Sequence, residues 1–155
     1  MNATARHDAR RLTWTRHAGV LLLAWLLAAV WGSVAQTVWN LQALVDVGVH
    51  IPARTWWTVI GQDLTGFAPV YGGIVAAGWL VALPLASGLA RRWPAGRSSL
   101  LALAAGVGMM AAVRAVDAVA PMPVFIDATR GLPGLLTMAV GAAAAGWVYA
   151  RLTTP

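Results

Sequence analysis

Residues 18–37 read AGVLLLAWLLAAVWGSVAQT, an uninterrupted run without a formal charge. At about 1.5 Å of rise per residue, such a run makes ~30 Å of helix, which matches the hydrocarbon thickness of a bilayer. Three more runs of this kind follow, at 67–90, 100–120 and 132–150. Each is about 19 to 24 residues long, enough to span. The pattern predicts an all-α integral membrane protein, a bundle of four transmembrane helices forming one membrane domain over residues 1–155.

Composition agrees. The chain has 155 residues, 59% hydrophobic and only 10% charged, where a soluble domain carries about 25% charged residues. Its mean hydropathy is +0.69. Folded in water it would expose apolar patches that soluble monomers rarely tolerate. All 11 basic residues are arginine and the net charge is +6. The arginines flank apolar runs and form no patch interleaved with aromatics, so nucleic-acid binding is rejected. There are no cysteines, which excludes disulfides, thiolate metal sites and cysteine nucleophiles. No histidine lies within a predicted span, so bis-histidine haem is not expected, and no H-x-x-x-H, G-x-S-x-G or phosphate-loop pattern occurs. Neither cofactor nor metal is expected.

Arginine placement orients the bundle. Arg6, Arg10, Arg11, Arg16, Arg91, Arg92, Arg97 and Arg151 fall on one side, against Arg54, Arg114 and Arg130 on the other. The side richer in arginine is expected to be cytoplasmic, with both termini there, in a bacterial inner membrane. Trp14, Trp93 and Trp147 then lie near that interface and Trp39, Trp56 and Trp57 near the opposite one. Residues 1–35 also admit a second reading, a cleaved signal peptide ending at Ser33-Val34-Ala35. The apolar stretch is longer than such peptides use, which favours retention.

Punctuation sets the expected boundaries. Ser98 caps the third helix and Pro121 and Pro123 end it. Pro69 and Pro133 occupy the first turns of the second and fourth helices, and Pro84 kinks the second. The outer loop, 38–66, begins as a continuation of the first helix. Ala24, Ala28, Gly32, Gln36 and Asn40 recur every fourth residue, a stripe that turns from small to polar as it leaves the membrane. Gly48 stops it. Residues 53–64, with Trp56, Trp57, Ile60 and Leu64 on one side, predict a short amphipathic helix lying in the interface.

Two further patterns stand out. Small residues recur four apart at Gly73/Ala77, Gly78/Ala82, Ala104/Gly108/Ala112 and Gly141/Ala145, which permits close helix packing within one bundle or between two copies. The segments 63–69 and 127–133 both read D-x-T followed by glycine, an apolar residue and proline. They are either two well-punctuated helix starts or the trace of a repeated hairpin.

Chemistry-bearing residues gather on the outer side: Asp46, His50, Arg54, Asp63, Arg114, Asp117, Asp127 and Arg130. Arg114 and Asp117 are three apart on the third helix and can pair. Arg114 lies ~9 Å from the helix end, a depth at which a charge normally faces the bundle interior or snorkels to the headgroups. Asp127 and Arg130 repeat the spacing at the start of the fourth helix, where Arg130 needs an acidic partner against the helix dipole, either Asp127 or Asp117. The candidate ligand-binding set is therefore Arg114, Asp117, Asp127, Arg130, Asp63, His50 and Arg54, either a polar pocket for an anionic or polar ligand or an ion-pair network tying loops to the bundle. No catalytic residue is assigned. The leading expectation is a non-enzymatic accessory or assembly subunit packing in the lipid bilayer against a membrane partner or a second copy. A small carrier using the Arg/Asp pocket is the alternative. An envelope enzyme acting on lipid headgroups is a third.

Overall fold

The computed structural model describes residues 3–120 and 126–154, and side chains from Trp14 onward within those limits. The side chains of Arg6, His7, Asp8, Arg10 and Arg11, and the stops at Pro121 and Pro123, lie outside the described residues. Four helices account for most of the chain: α1 Ala3–Asp46, α2 Ala53–Ala90, α3 Arg97–Val119 and α4 Leu132–Leu152. Each is long and apolar enough to cross a membrane. Single 3₁₀ turns at Pro94–Gly96 and Asp127–Arg130 lead into α3 and α4.

Each helix packs on its sequence neighbours and α1 also packs on α4, which closes an antiparallel square. Both ends of the chain therefore come to one end of the bundle. There Arg16 donates to the Leu152 carbonyl at 2.8 Å, and Arg97 donates to the Ala150 carbonyl and to Thr153 Oγ1. Two arginines thus satisfy carbonyls that the C-terminus of α4 leaves without intrahelical partners, and their charge suits the negative end of its dipole. Arg91 and Arg92 follow the end of α2, and the Arg151 guanidinium stacks 4.9 Å over Trp147.

The core repeats with a helical period. Tyr71, Val75, Trp79 and Leu83 on α2, Leu101, Ala105, Met109 and Val113 on α3, and Leu135, Met138, Ala142 and Ala145 on α4 are buried together with Ala24, Ala28 and Ala35 of α1. Large apolar side chains elsewhere, Leu22, Leu27, Leu80, Leu85, Leu103 and Val140 among them, point outward. This is the distribution that lipid, not water, would accept.

Lipid supplies no hydrophobic force between helices, so close approach and interhelical hydrogen bonds must hold the seams. Both occur. Added Cβ atoms on Gly78 and Gly108 would overlap Gly108 backbone and Ala82 respectively, so this pair brings α2 against α3. Between α3 and α4, an added Cβ on Gly146 would overlap Ala105, and one on Gly106 would crowd the Ala139 carbonyl at 3.1 Å. Tryptophan staples the two seams of α1 and adds a bond to the α2–α3 seam. Trp25 Nε1 donates to the Gly72 carbonyl of α2 at 2.7 Å, Trp31 Nε1 to the Thr137 carbonyl of α4 at 2.8 Å, and Trp79 Nε1 to the Ala105 carbonyl of α3 at 3.0 Å. Each indole spends its one donor on the second lone pair of a helical carbonyl. Most of the small-residue stripes thus serve the bundle itself. Gly73 meets nothing within 4 Å and is exposed beside Ala77.

Several boundaries differ from expectation. Residues 53–64 are helical, but they are the opening turns of α2 and not a separate interfacial helix; α2 runs unbroken through Pro69 and Pro84. Pro69 is therefore interior, although its missing N–H deprives the Thr65 carbonyl of its usual partner. Hydropathy marked where α2 becomes apolar, which is not where it becomes helical. Pro133 does sit in the first turn of α4. Ser98 is not a cap: α3 begins at Arg97 with Gly96 as N-cap and no side-chain cap bond. Gly48 ends α1 as expected. It has φ +90°, Gly48 N–H meets the Val45 carbonyl and Val49 N–H meets the Leu44 carbonyl, the paired bonds of a Schellman motif.

Candidate functional site

The acidic end of the bundle, opposite the chain termini, carries the candidate residues on four elements. On α3, Arg114 Nη1 lies 3.6 Å from Asp117 Oδ2. The Arg114 side chain is 51% exposed and that of Asp117 10%. Arg114 therefore does not face the bundle interior; its neighbour Val113 does, fully buried. The guanidinium instead reaches one turn toward the helix end, as a snorkelling arginine does, and meets its carboxylate there.

At the start of α4, Arg130 pairs with Asp127 across one 3₁₀ turn, both largely exposed. Asp127 is thus the acidic partner that Arg130 needs. The D-x-T likeness between 63–69 and 127–133 survives in one local detail: Thr65 Oγ1 donates to the Gln62 carbonyl at 2.9 Å and Thr129 Oγ1 to the Ile126 carbonyl at 2.7 Å. The settings differ, because Asp63 lies well inside α2 and Asp127 opens a turn. Asp63 is half-buried against α1, where Thr37 Oγ1 donates to its Oδ2 at 2.6 Å. Arg54, on the first turn of α2, and His50, in the 47–52 connection, are exposed. Asp46 accepts from Gln42 Nε2 at 2.9 Å. The structure brings the charged residues together as local pairs, Arg114 with Asp117 and Arg130 with Asp127, and places Asp63 on the α1–α2 seam.

The more ordered polar feature at this end is one the charge pattern did not single out. Ser33, Gln36 and Thr37 of α1 are buried, and Asn40 is partly so. Gln36 Oε1 accepts the backbone N–H of Ala128 at 3.0 Å, which ties the turn before α4 to the middle of the molecule. Thr129 beside it is buried as well. Tyr71 of α2 is fully buried, stacked on Phe67 with centroids 5.7 Å apart and its ring lying across Gly32. The signal was present: Gln36 and Asn40 continue the Ala24, Ala28, Gly32 stripe, and that stripe faces the bundle. Read as leaving the membrane for solvent, it goes instead into the protein, because α2 begins at Ala53 and accompanies α1 beyond the apolar run. Ser33 and Ala35, the small residues of the signal-peptide reading, are buried inside continuous helix.

Fold and composition together define a class, the multi-pass helical membrane bundle, with arginines at one end and a buried polar seam toward the other. Within that class the chain stands apart: no family model, no curated protein and no solved structure matches it.

Proposed function

We propose that this chain is a non-enzymatic accessory or assembly subunit that packs against a transmembrane helix of a larger membrane partner. The observation that carries the reading is the outer face of the α2–α3 pair. A groove of about 910 Å³ runs along it, from Ile74 to Leu89 on α2 and from Leu100 to Val119 on α3. At 1.5 Å per residue that is roughly 22 to 28 Å, close to a hydrocarbon span. Its floor is small (Ala77, Gly78, Ala82, Ala104, Gly108, Ala111, Ala112) and its rim is Val81, Leu85, Leu103 and Val107. Close backbone approach over small residues is how membrane helices associate. The arginine asymmetry supports both termini on the cytoplasmic side and the acidic end outside, and the use of arginine for all 11 basic residues favours a bacterial inner membrane.

Photo-crosslinking tests this. A crosslinker at Ala111, in the groove floor, is expected to trap one stoichiometric partner helix in the native membrane, and one at Val140 on the α4 face is not. With the crosslinker kept at Ala111, Ala77→Trp, which fills the groove from the α2 side, should abolish the adduct while the bundle stays folded. Trapping of only lipid, or of a second copy of this chain, overturns the larger-partner reading. The alternative, a small carrier or ligand-binding protein, rests on the half-exposed Arg114 guanidinium, which a polar or anionic ligand can reach. On that reading Arg114→Gln removes ligand binding and leaves partner capture at Ala111 unchanged.

A further inference from the structure

We infer that the α1–α2 seam holds ordered water, admitted from the acidic end and reaching the Tyr71 hydroxyl in the middle of the bundle. Along α1, Ser33, Gln36, Thr37 and Asn40 fall at i, i+3, i+4 and i+7, so one face of its last turns is polar, and the fold turns that face inward. Gln36 and Thr37 find protein partners in Ala128 and Asp63. On this seam three buried atoms find no hydrogen-bond partner among the described residues: Ser33 Oγ, Tyr71 OH and Asn40 Oδ1. Ser33 and Tyr71 are each 0% exposed, and Tyr71 Cε1 and Cζ lie over Gly32, the residue before Ser33.

A hydroxyl sealed in an apolar interior without a partner is strongly disfavoured, the more so where no bulk water can penetrate. Alanine and phenylalanine would fill these positions without that cost. Two hydroxyls and an amide oxygen call for a small ligand that both donates and accepts, which is the chemistry of water. An anion would meet the Asp63 carboxylate on the same seam. Asn40 and Asp63, both only partly buried, mark the route in from solvent.

Hydroxyl-radical footprinting with X-ray pulses in H₂¹⁸O reads this directly, because oxidation of a buried side chain requires a water held against it. In the wild-type chain in nanodiscs, Tyr71 is expected to take up ¹⁸O at doses that modify the exposed Trp57. Ser33→Leu, which fills the seam, should cut that uptake several-fold. An unmodified wild-type Tyr71 overturns the inference, as does uptake unchanged in Ser33→Leu. If Ser33→Leu does not fold, Tyr71→Phe decides: a hydrated phenol makes the variant melt lower than wild type, and a dry one makes it melt at the same temperature or higher.

Discussion

Single atoms decide the closest contacts of this bundle. Gly78 faces the Gly108 backbone, so a methyl group there has nowhere to go, whereas Gly73, on the same helix, faces open space. Gly78→Ala should therefore separate α2 from α3 and destabilise the fold by about 1–3 kcal/mol. Gly73→Ala should be neutral or stabilise by up to ~1 kcal/mol by restricting the unfolded chain. Thermal unfolding of both variants in one detergent checks the contrast, and equal effects would deny the packing role of Gly78. Gln36 makes a second test. Gln36→Leu keeps the size of the side chain but strands the buried Ala128 N–H, at a cost of about 1–3 kcal/mol. Faster hydrogen exchange at Ala128, with α2 and α3 unchanged, is the expected signature. Sequence spacing showed Gly78 as one of several interchangeable small residues; which of them is closed off by a neighbour depends on helix rotation, which spacing does not contain.

At the scale of the element, helix ends and continuity carry the testable content. Gly48 has open space around it and a φ of +90°, so Gly48→Ala isolates the backbone cost of the left-handed conformation, about 1–2 kcal/mol. Fraying of residues 44–46, seen as loss of amide protection at Val49 and Gly48, is the expected result. The continuity of α2 is open to spin labelling. Nitroxide accessibility scanned from position 56 to 75 should follow one 3.6-residue period without a phase break at Gly66–Pro69. A flat interfacial helix joined to a separate span would break phase there. Gly48 was legible because a glycine between a helical run and a proline has few other uses. The extension of α2 was not, since residues 53–66 mix polar and aromatic groups, and such a mixture suits a helix lying on a membrane as well as one standing above it.

For the molecule as a whole, the absence of native cysteine makes topology simple to measure. Single cysteines at Ala95 and Val47 sit at opposite ends of the bundle. A membrane-impermeant maleimide added outside intact cells should label Val47→Cys and spare Ala95→Cys until the membrane is opened. The reverse pattern would refute the orientation drawn from the arginines. The same closed square explains why most small residues are already occupied: α2–α3 and α3–α4 use them for backbone approach, and α1 is held by Trp25 and Trp31. The outer groove of α2–α3 stays open along its length, and that is the face on which the proposed function rests.

The four spans were written in the sequence because hydrocarbon demands long apolar runs, and length and hydropathy are properties a chain has before it folds. The pairing of Arg114 with Asp117 was written there too, since three residues of helix bring side chains together whatever surrounds them; for Arg130 the sequence left Asp127 or Asp117, and the structure selects Asp127. The tertiary structure alone decided that Arg114 faces outward, that Asp63 meets Thr37, and that Ser33, Gln36 and Tyr71 form a buried polar seam. Each of these depends on how far one helix is turned toward its neighbour. That rotation is set by contacts between residues tens of positions apart, such as Trp25 with Gly72 and Trp31 with Thr137, which no local pattern records.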